Sequence, residues 1–97
     1  MDAEAQSAWQ QTRNAVAADL MVSTVHFDRN LAKRGMLWPD LLTILDEPTR
    51  LENQGIEEHG WPKWRIWGNA SDGSPAAIVI ALQDNGWVRL ITIHWED

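Results

Sequence analysis

Apolar residues in the first half of the chain recur every three or four positions, the spacing of amphipathic helices. The first such segment, Asp2 to Met21, carries a narrow apolar stripe made of Ala5, Trp9, Thr12, Val16 and Leu20. A stripe this narrow predicts a helix that docks on the domain or on a second copy of the chain. A second helix is predicted from about Val25 to Arg34, with Ser23-Thr24 as its cap and Gly35 as its stop.

A third predicted helix begins at Pro39, which suits a first helical turn, and ends at Glu47-Pro48. The segment from Arg50 to Gly60 is polar and acidic, and it predicts a short strand followed by a loop. From Trp61 onward the apolar period changes from that of a helix to that of a strand.

The second half of the chain predicts strands joined by turns. In Trp64 to Trp67 the residues alternate, with Lys63, Arg65 and Trp67 on one face. Ala76 to Leu82 is apolar on both faces, as a central strand is. Asp84-Asn85-Gly86 is a hairpin signal.

The last predicted strand, Trp87 to Trp95, also alternates. One face is expected to hold Trp87, Arg89, Ile91, Ile93 and Trp95. The other is expected to hold Val88, Leu90, Thr92 and His94. Helices followed by an antiparallel meander of three to four strands predict an α+β fold.

Composition sets bounds on the class of protein. The 97 residues allow one domain, and the apolar fraction of 44% is that of a globular protein. No apolar run approaches the length that spans a bilayer, and no basic-then-apolar leader is present, so a cytoplasmic protein without membrane contact is expected. The absence of cysteine excludes disulfides and thiolate metal sites.

The net charge of −6 opposes nucleic-acid binding, since phosphate contacts supply most of that affinity. Its distribution is uneven, because the acidic residues gather between Asp46 and Gly60 while His26 to Asp40 is slightly positive. Lys63, Arg65 and Arg89 lie on the later strands. The pattern therefore allows a small basic face and excludes a large basic surface.

The stretch from His26 to Met36 is the strongest candidate motif. His26, Asn30 and Arg34 are spaced at i, i+4 and i+8 and fall on one side of the predicted helix, near Lys33. Two interpretations are open for these polar groups: they contribute to a functional site, or they form a solvated helix surface.

The same stretch resembles a bacterial family called domain of unknown function 4258, which groups with the RelE-like toxins in the barnase, colicin and RelE ribonuclease fold. The family motif runs His-Ala-x-x-Arg-Met-x-x-Arg-Gly-Ile. His26 matches its histidine, Leu31 its methionine, Arg34-Gly35 its Arg-Gly and Met36 its isoleucine. Leu45-Asp46-Glu47-Pro48 is similar to the phrase that ends the family's second helix.

The ending Leu90 to Trp95 also resembles the family's final strand. The likeness implies a RelE-like domain over residues 23–97, with residues 1–22 as an N-terminal helical extension. One position departs from the motif: Asn30 stands where the family has an arginine. The family likeness implies a toxin of a toxin–antitoxin system that cleaves RNA without a metal or cofactor.

Cleavage of RNA to a 2′,3′-cyclic phosphate needs a base, an acid and cations that stabilise the phosphorane. The candidate catalytic residues are His26, Arg34, Arg65 and His94. The candidate substrate-binding residues are Lys33, Lys63, Arg89 and Thr92. Either histidine suits the acid or the base, and each residue also has a structural interpretation, such as a helix cap or a surface ion pair.

Two further hypotheses complete the predictions. Glu57, Glu58 and His59 are adjacent on a predicted loop and share no defined ligand geometry, so no metal is expected there. The alternative to an endoribonuclease is a non-catalytic module on the same fold that binds a protein. That module forms a homodimer through the N-terminal helix, or its helix occupies the groove that an antitoxin fills.

Overall fold

Within residues 2–96, the part of the chain that the structure describes, three helices cover one face of a five-stranded sheet. The structure is a computed structural model. The helices are α1 (Ala3–Ala17), α2 (Val25–Lys33) and α3 (Trp38–Asp46). The strands are β1 (Met21–Ser23), β2 (Arg50–Ile56), β3 (Pro62–Asn69), β4 (Pro75–Leu82) and β5 (Val88–Trp95). The predicted α+β class is confirmed.

The sheet differs from the predicted antiparallel meander. Its order is β1-β5-β4-β3-β2, and β1 runs parallel to β5 whereas the other neighbours are antiparallel. The described residues therefore form a mixed sheet of five strands, whereas three to four antiparallel strands were predicted. The extra strand is β1, in a segment that the apolar spacing assigned to the helical region.

Helix α1 stops at Ala17 and not at the predicted Met21, because the chain reverses at Asp19. The backbone of Asp19 is left-handed, with φ of 57°. The N–H of Leu20 donates to the Ala15 carbonyl at 2.8 Å, which closes the helix end as a glycine usually does. The reversal frees Met21–Ser23 to extend beside β5.

The ends of α2 follow the sequence prediction. Thr24 caps its start, with its hydroxyl accepting from the Phe27 N–H at 2.9 Å. Gly35 ends it with φ of +68°, and the Met36 N–H donates back to the Leu31 carbonyl at 3.0 Å. The Phe27 side chain is fully buried and anchors α2 to the core. The two caps fix the ends of this helix, which lies along β5.

The core lies between the helices and one face of the sheet. Leu51, Ile66, Ile78 and Ile93 sit side by side in register across β2, β3, β4 and β5. Leu41, Ile44 and Leu45 of α3 pack over the sheet and are buried. Burial of these aliphatic side chains is the main favourable term in the folding of so small a domain.

A β-bulge in β5 overturns the predicted alternation of that strand. Val79 pairs with Thr92 whereas Ile80 pairs with Leu90, so Ile91 is the extra residue. After the bulge the side chains change face: Ile93 is buried in the core with Val88 and Leu90. The prediction that Thr92 and His94 share a face with Val88 and Leu90 was therefore wrong.

Helix α1 docks on its own domain. Its buried residues are Ala5, Ala8, Thr12 and Ala15. The Trp9 indole N–H donates to the Leu45 carbonyl at 3.1 Å, which joins α1 to the C-terminal end of α3. The apolar side of α1 is thus used within the chain, and dimerisation through this helix stays a prediction. None of the helices that the structure describes is both long and apolar enough to cross a bilayer.

Candidate functional site

The face of the sheet opposite the helices, here called the open face, has a floor of small side chains between rows of long polar ones. Ala77, Val79 and Ala81 of β4 form the floor. Their partners on β3 are Trp67, Arg65 and Lys63, and their partners on β5 are His94, Thr92 and Arg89. The bulge at Ile91 is what brings Thr92 and His94 to the same face as Arg89.

This face concentrates positive charge on an acidic protein. Arg50, Lys63, Arg65 and Arg89 lie on it, which is half of the eight Lys and Arg residues in the chain. Carboxylates accompany three of these four cations: Glu52 lies beside Arg50, Glu96 beside Arg65 and Glu57 beside Arg89. The net positive charge of this face is therefore small.

One end of the open face holds a hydrogen-bonded cluster around Arg65. Its Nη2 donates to His94 Nε2 at 2.7 Å and to a Glu96 carboxylate oxygen. Because arginine has no acceptor, this contact requires that Nε2 of His94 carries a lone pair. The Trp67 indole N–H donates to the same Glu96 oxygen at 3.0 Å.

Charge and burial set the protonation of this cluster. Burial lowers the pKa of His94, the Arg65 and Arg34 guanidiniums lower it further, and Glu96 opposes them only in part. The hydrogen bond from Arg65 lowers the pKa of Glu96, and it outweighs the opposing effect of burial. Near neutral pH the cluster therefore holds a neutral imidazole beside an ion pair.

Stacking on Trp67 orients Arg65. The Arg65 guanidinium carbon lies 4.8 Å from the Trp67 ring centroid, and the Arg50 guanidinium carbon lies 3.7 Å from it. Such cation–π contacts hold a planar guanidinium in a fixed orientation. These contacts hold Arg65 between Trp67, His94 and Glu96, beside the floor that β4 forms.

The other end of the open face holds a second cluster around Arg89. Arg89 Nη1 lies 2.7 Å from His59 Nδ1 and 3.7 Å from the Glu57 carboxylate. Glu57 has a side chain only 7% exposed and accepts from the backbone N–H groups of His59 and Trp61. Burial raises the pKa of Glu57, but these bonds and the His59 ring together lower it below its ordinary value.

The structure divides the predicted catalytic residues. His94 and Arg65 are hydrogen-bonded at one end. His26 lies at the other end, beside the cleft that Lys63 and Arg89 line. Ala77 and Ala81 mark the two ends in register, four residues apart, which is about 13 Å along a strand.

Arg34 has a structural contact. Its Nε donates to the Ile93 carbonyl at 2.9 Å, and the Trp95 indole donates to the Arg34 carbonyl at 2.9 Å. These bonds occupy the edge of β5 beyond the three residues that β1 pairs. Lys33 is exposed in the last turn of α2, and Asn30 donates to the His26 carbonyl at 2.8 Å.

Four residues of these clusters were absent from the predicted site: Glu96, Trp67, Glu57 and His59. Trp67 had a signal in the sequence, since alternation places it on the same face as Arg65. Glu96 had a signal in the sequence, since it follows His94 by two positions and alternation places both on one side. Glu57 and His59 had none, because only the sheet register brings their turn beside Arg89.

No protein-family model matches the chain, and no curated protein matches it significantly. Among residues 2–96, no three His, Cys, Asp or Glu side chains come close enough together to hold a metal ion.

Acidification is expected to destabilise the protein through His94. Its folded-state pKa lies below the unfolded value of about 6.5, so the unfolded chain binds more protons as the pH falls through that value. The stability that the neutral His94 contributes is therefore fully present above about pH 6.5 and is lost as the pH falls through the folded-state pKa. Arg65, Arg34 and Glu96 are the charged groups that set the shift.

Urea unfolding between pH 8 and pH 5 measures this effect. His94→Gln should show a shallower loss of stability over that range than the wild type. Thr92→Val, a non-titrating change on the same face, should retain the wild-type slope. Equal slopes for wild type and His94→Gln would show that His94 is not perturbed in the folded protein.

Proposed function

We propose that the open face binds RNA and that the chain is a metal-independent endoribonuclease of the RelE-like toxin kind. The observation that carries this proposal is the pairing of a neutral His94 with the Arg65 guanidinium, on a face where cations gather. A neutral imidazole is suited to accept a proton, and a guanidinium is suited to hold a phosphate oxygen.

In the proposed reaction, Arg65 Nη2 leaves His94 Nε2 for the phosphate, and the freed Nε2 lone pair takes the proton of a ribose 2′-hydroxyl. The 2′-oxygen forms a bond to phosphorus while the bond from phosphorus to the 5′-oxygen breaks, and the 5′-oxygen takes a proton from solvent. Arg65 donates to a non-bridging phosphate oxygen, where negative charge develops. Thr92 and Arg65 pair with Val79 from opposite sides, so both face the same phosphate. The Thr92 hydroxyl donates to that phosphate.

Glu96 competes with the substrate in this proposal. It accepts from both Arg65 and Trp67, so a phosphate that binds Arg65 replaces the carboxylate as its partner. Glu96→Gln removes that charge and leaves a group of similar shape. We therefore expect the variant to bind RNA more tightly than the wild type does, because the phosphate no longer has to break the ion pair between Arg65 and Glu96.

RNA cleavage tests the proposal. Purified protein is incubated with end-labelled single-stranded RNA in EDTA, and the products are separated on a denaturing gel. His94→Gln and Arg65→Gln should each slow cleavage about 100-fold, the usual contribution of a positioned base or charge-stabilising group. Arg13→Gln is the matched control, because it removes one positive charge on α1, where Arg13 stacks on Trp9 away from the open face.

Three outcomes are informative. Cleavage that depends on His94 and Arg65 but not on Arg13 supports the enzyme. Cleavage that is unchanged in both site variants overturns it. Absence of both cleavage and RNA binding favours the second candidate, a non-catalytic module that binds a protein. Two observations motivate that candidate: carboxylates accompany Arg65 and Arg89, and Asn30 is hydrogen-bonded to His26 where the family has an arginine.

A further inference from the structure

A cleft of about 450 Å³ opens at the Arg89 end of the open face. It lies between the first turn of α2, the turn after β2, and the strands β3 and β5. Its lining residues are Thr24, His26, Ile56, Lys63, Arg89 and Ile91, with Glu57 and Glu58 at the turn. The volume falls in the range of small-ligand sites in proteins.

The cleft combines apolar side chains with cations. Ile56 is 66% exposed although it is a large aliphatic residue, and the buried core does not include it. Ile91, the extra residue of the β5 bulge, lines the same cleft. Lys63 and Arg89 stand beside them, paired in register with Ala81 from opposite sides. A ligand that satisfies both features carries an apolar ring and an anionic group.

Arg89 keeps donors for an anion despite its acidic neighbour. The Glu57 carboxylate is already bonded to two backbone N–H groups and to the His59 ring. In the described residues, the contacts of Arg89 involve Nη1. A guanidinium has five N–H donors, so the remaining nitrogens can meet a phosphate oxygen.

We propose that this cleft is the subsite for one nucleotide of an RNA chain, with its base against Ile56 and Ile91 and its phosphate on Lys63 and Arg89. The inference rests on the proposed function and adds a second point of contact to it. The pair Lys63 and Arg89 lies about 7 Å along the sheet from the register position of Arg65 and about 13 Å from that of His94. The nucleotide in it is therefore a neighbour of the one that reacts.

Fluorescence anisotropy with two probes tests the subsite. One probe is a labelled single-stranded RNA, and the other is a ribose-phosphate chain of equal length without bases. Ile56→Ser should weaken RNA binding about fivefold, because the base loses its apolar contact with Ile56. The same substitution should leave binding of the abasic probe unchanged. Arg89→Gln should weaken both probes. Leu37→Ser is the matched control, because Leu37 is 68% exposed beyond the other end of α2.

Failure of the subsite and failure of the proposed function give different results. If the wild type binds RNA and Ile56→Ser binds it equally well, the subsite is wrong and the RNA-binding face stands. If Ile56→Ser weakens both probes equally, or Leu37→Ser matches its effect, the base contact is wrong. If the wild type binds neither probe, both proposals fall.

Discussion

Ile93→Ala is expected to lower the free energy of unfolding by about 3 kcal/mol, the usual cost of removing a buried isoleucine side chain. Ile93 is fully buried in a row with Leu51, Ile66 and Ile78. The loss is a large part of the stability of a domain of this size, which is roughly 5–15 kcal/mol. Urea unfolding followed by tryptophan fluorescence measures it.

Ile91→Ala is the matched control for this substitution. Strict alternation puts Ile91 and Ile93 on one face, where the two substitutions have similar effects. The bulge removes that equivalence, because Ile91 is half-buried beside the cleft and lies outside the core. We expect Ile91→Ala to cost less than about 1 kcal/mol. Equal losses would show that β5 has no bulge, and His94 would then not share a face with Arg65.

Gly68→Val is expected to lower the free energy of unfolding by about 3 kcal/mol, because α3 packs directly on the backbone of β3 there. A Cβ at Gly68 lies 3.1 Å from Ile44 Cγ2 and 3.2 Å from both Cα and O of Ile44. Carbon atoms in ordinary contact are about 3.5–4.0 Å apart, so the helix must move or the strand must bend. Gly68→Ala should cost less, since it adds one methyl and lowers the entropy of the unfolded chain.

A double-mutant cycle identifies the clash as the cause. Ile44→Ala removes Cγ2 and creates room, so it should cost about 1 kcal/mol less in the Gly68→Val protein than in the wild type. Additive losses would mean that the clash is with the Cα and O of Ile44, which Ile44→Ala leaves in place. The position also matters for the site, because Gly68 follows Trp67 and a displaced β3 carries Trp67 and Arg65 with it.

The organisation of the open face explains how an acidic chain presents cations. The helices that cover the core face leave Arg50, Lys63, Arg65 and Arg89 on the other side of the sheet. Glu52, Glu96 and Glu57 lie beside three of them and reduce the local field. The proposed binding of RNA should therefore weaken only gradually as salt is added, since few phosphates are neutralised at once.

Local chemistry in the sequence determined much of the fold. Thr24 and Gly35 set the ends of α2, because a hydroxyl cap and a left-handed glycine act within one turn. The alternation in β3 correctly placed Lys63 and Arg65 on one face of the sheet and Trp64 on the other, because the pairing of β3 with β4 is continuous. The candidate residues on β3 were therefore predictable from period alone.

What only the tertiary structure decided depends on contacts between distant segments. Asp19 takes the left-handed conformation, which glycine adopts most often and aspartate only occasionally, and this releases β1 to pair with β5. The bulge at Ile91 leaves no mark in a run of alternating residues, yet it moves Thr92 and His94 onto the face of Arg65. Period and caps are local properties of a chain, whereas strand register is fixed by the packing of the whole core, and register is what assembled the candidate site.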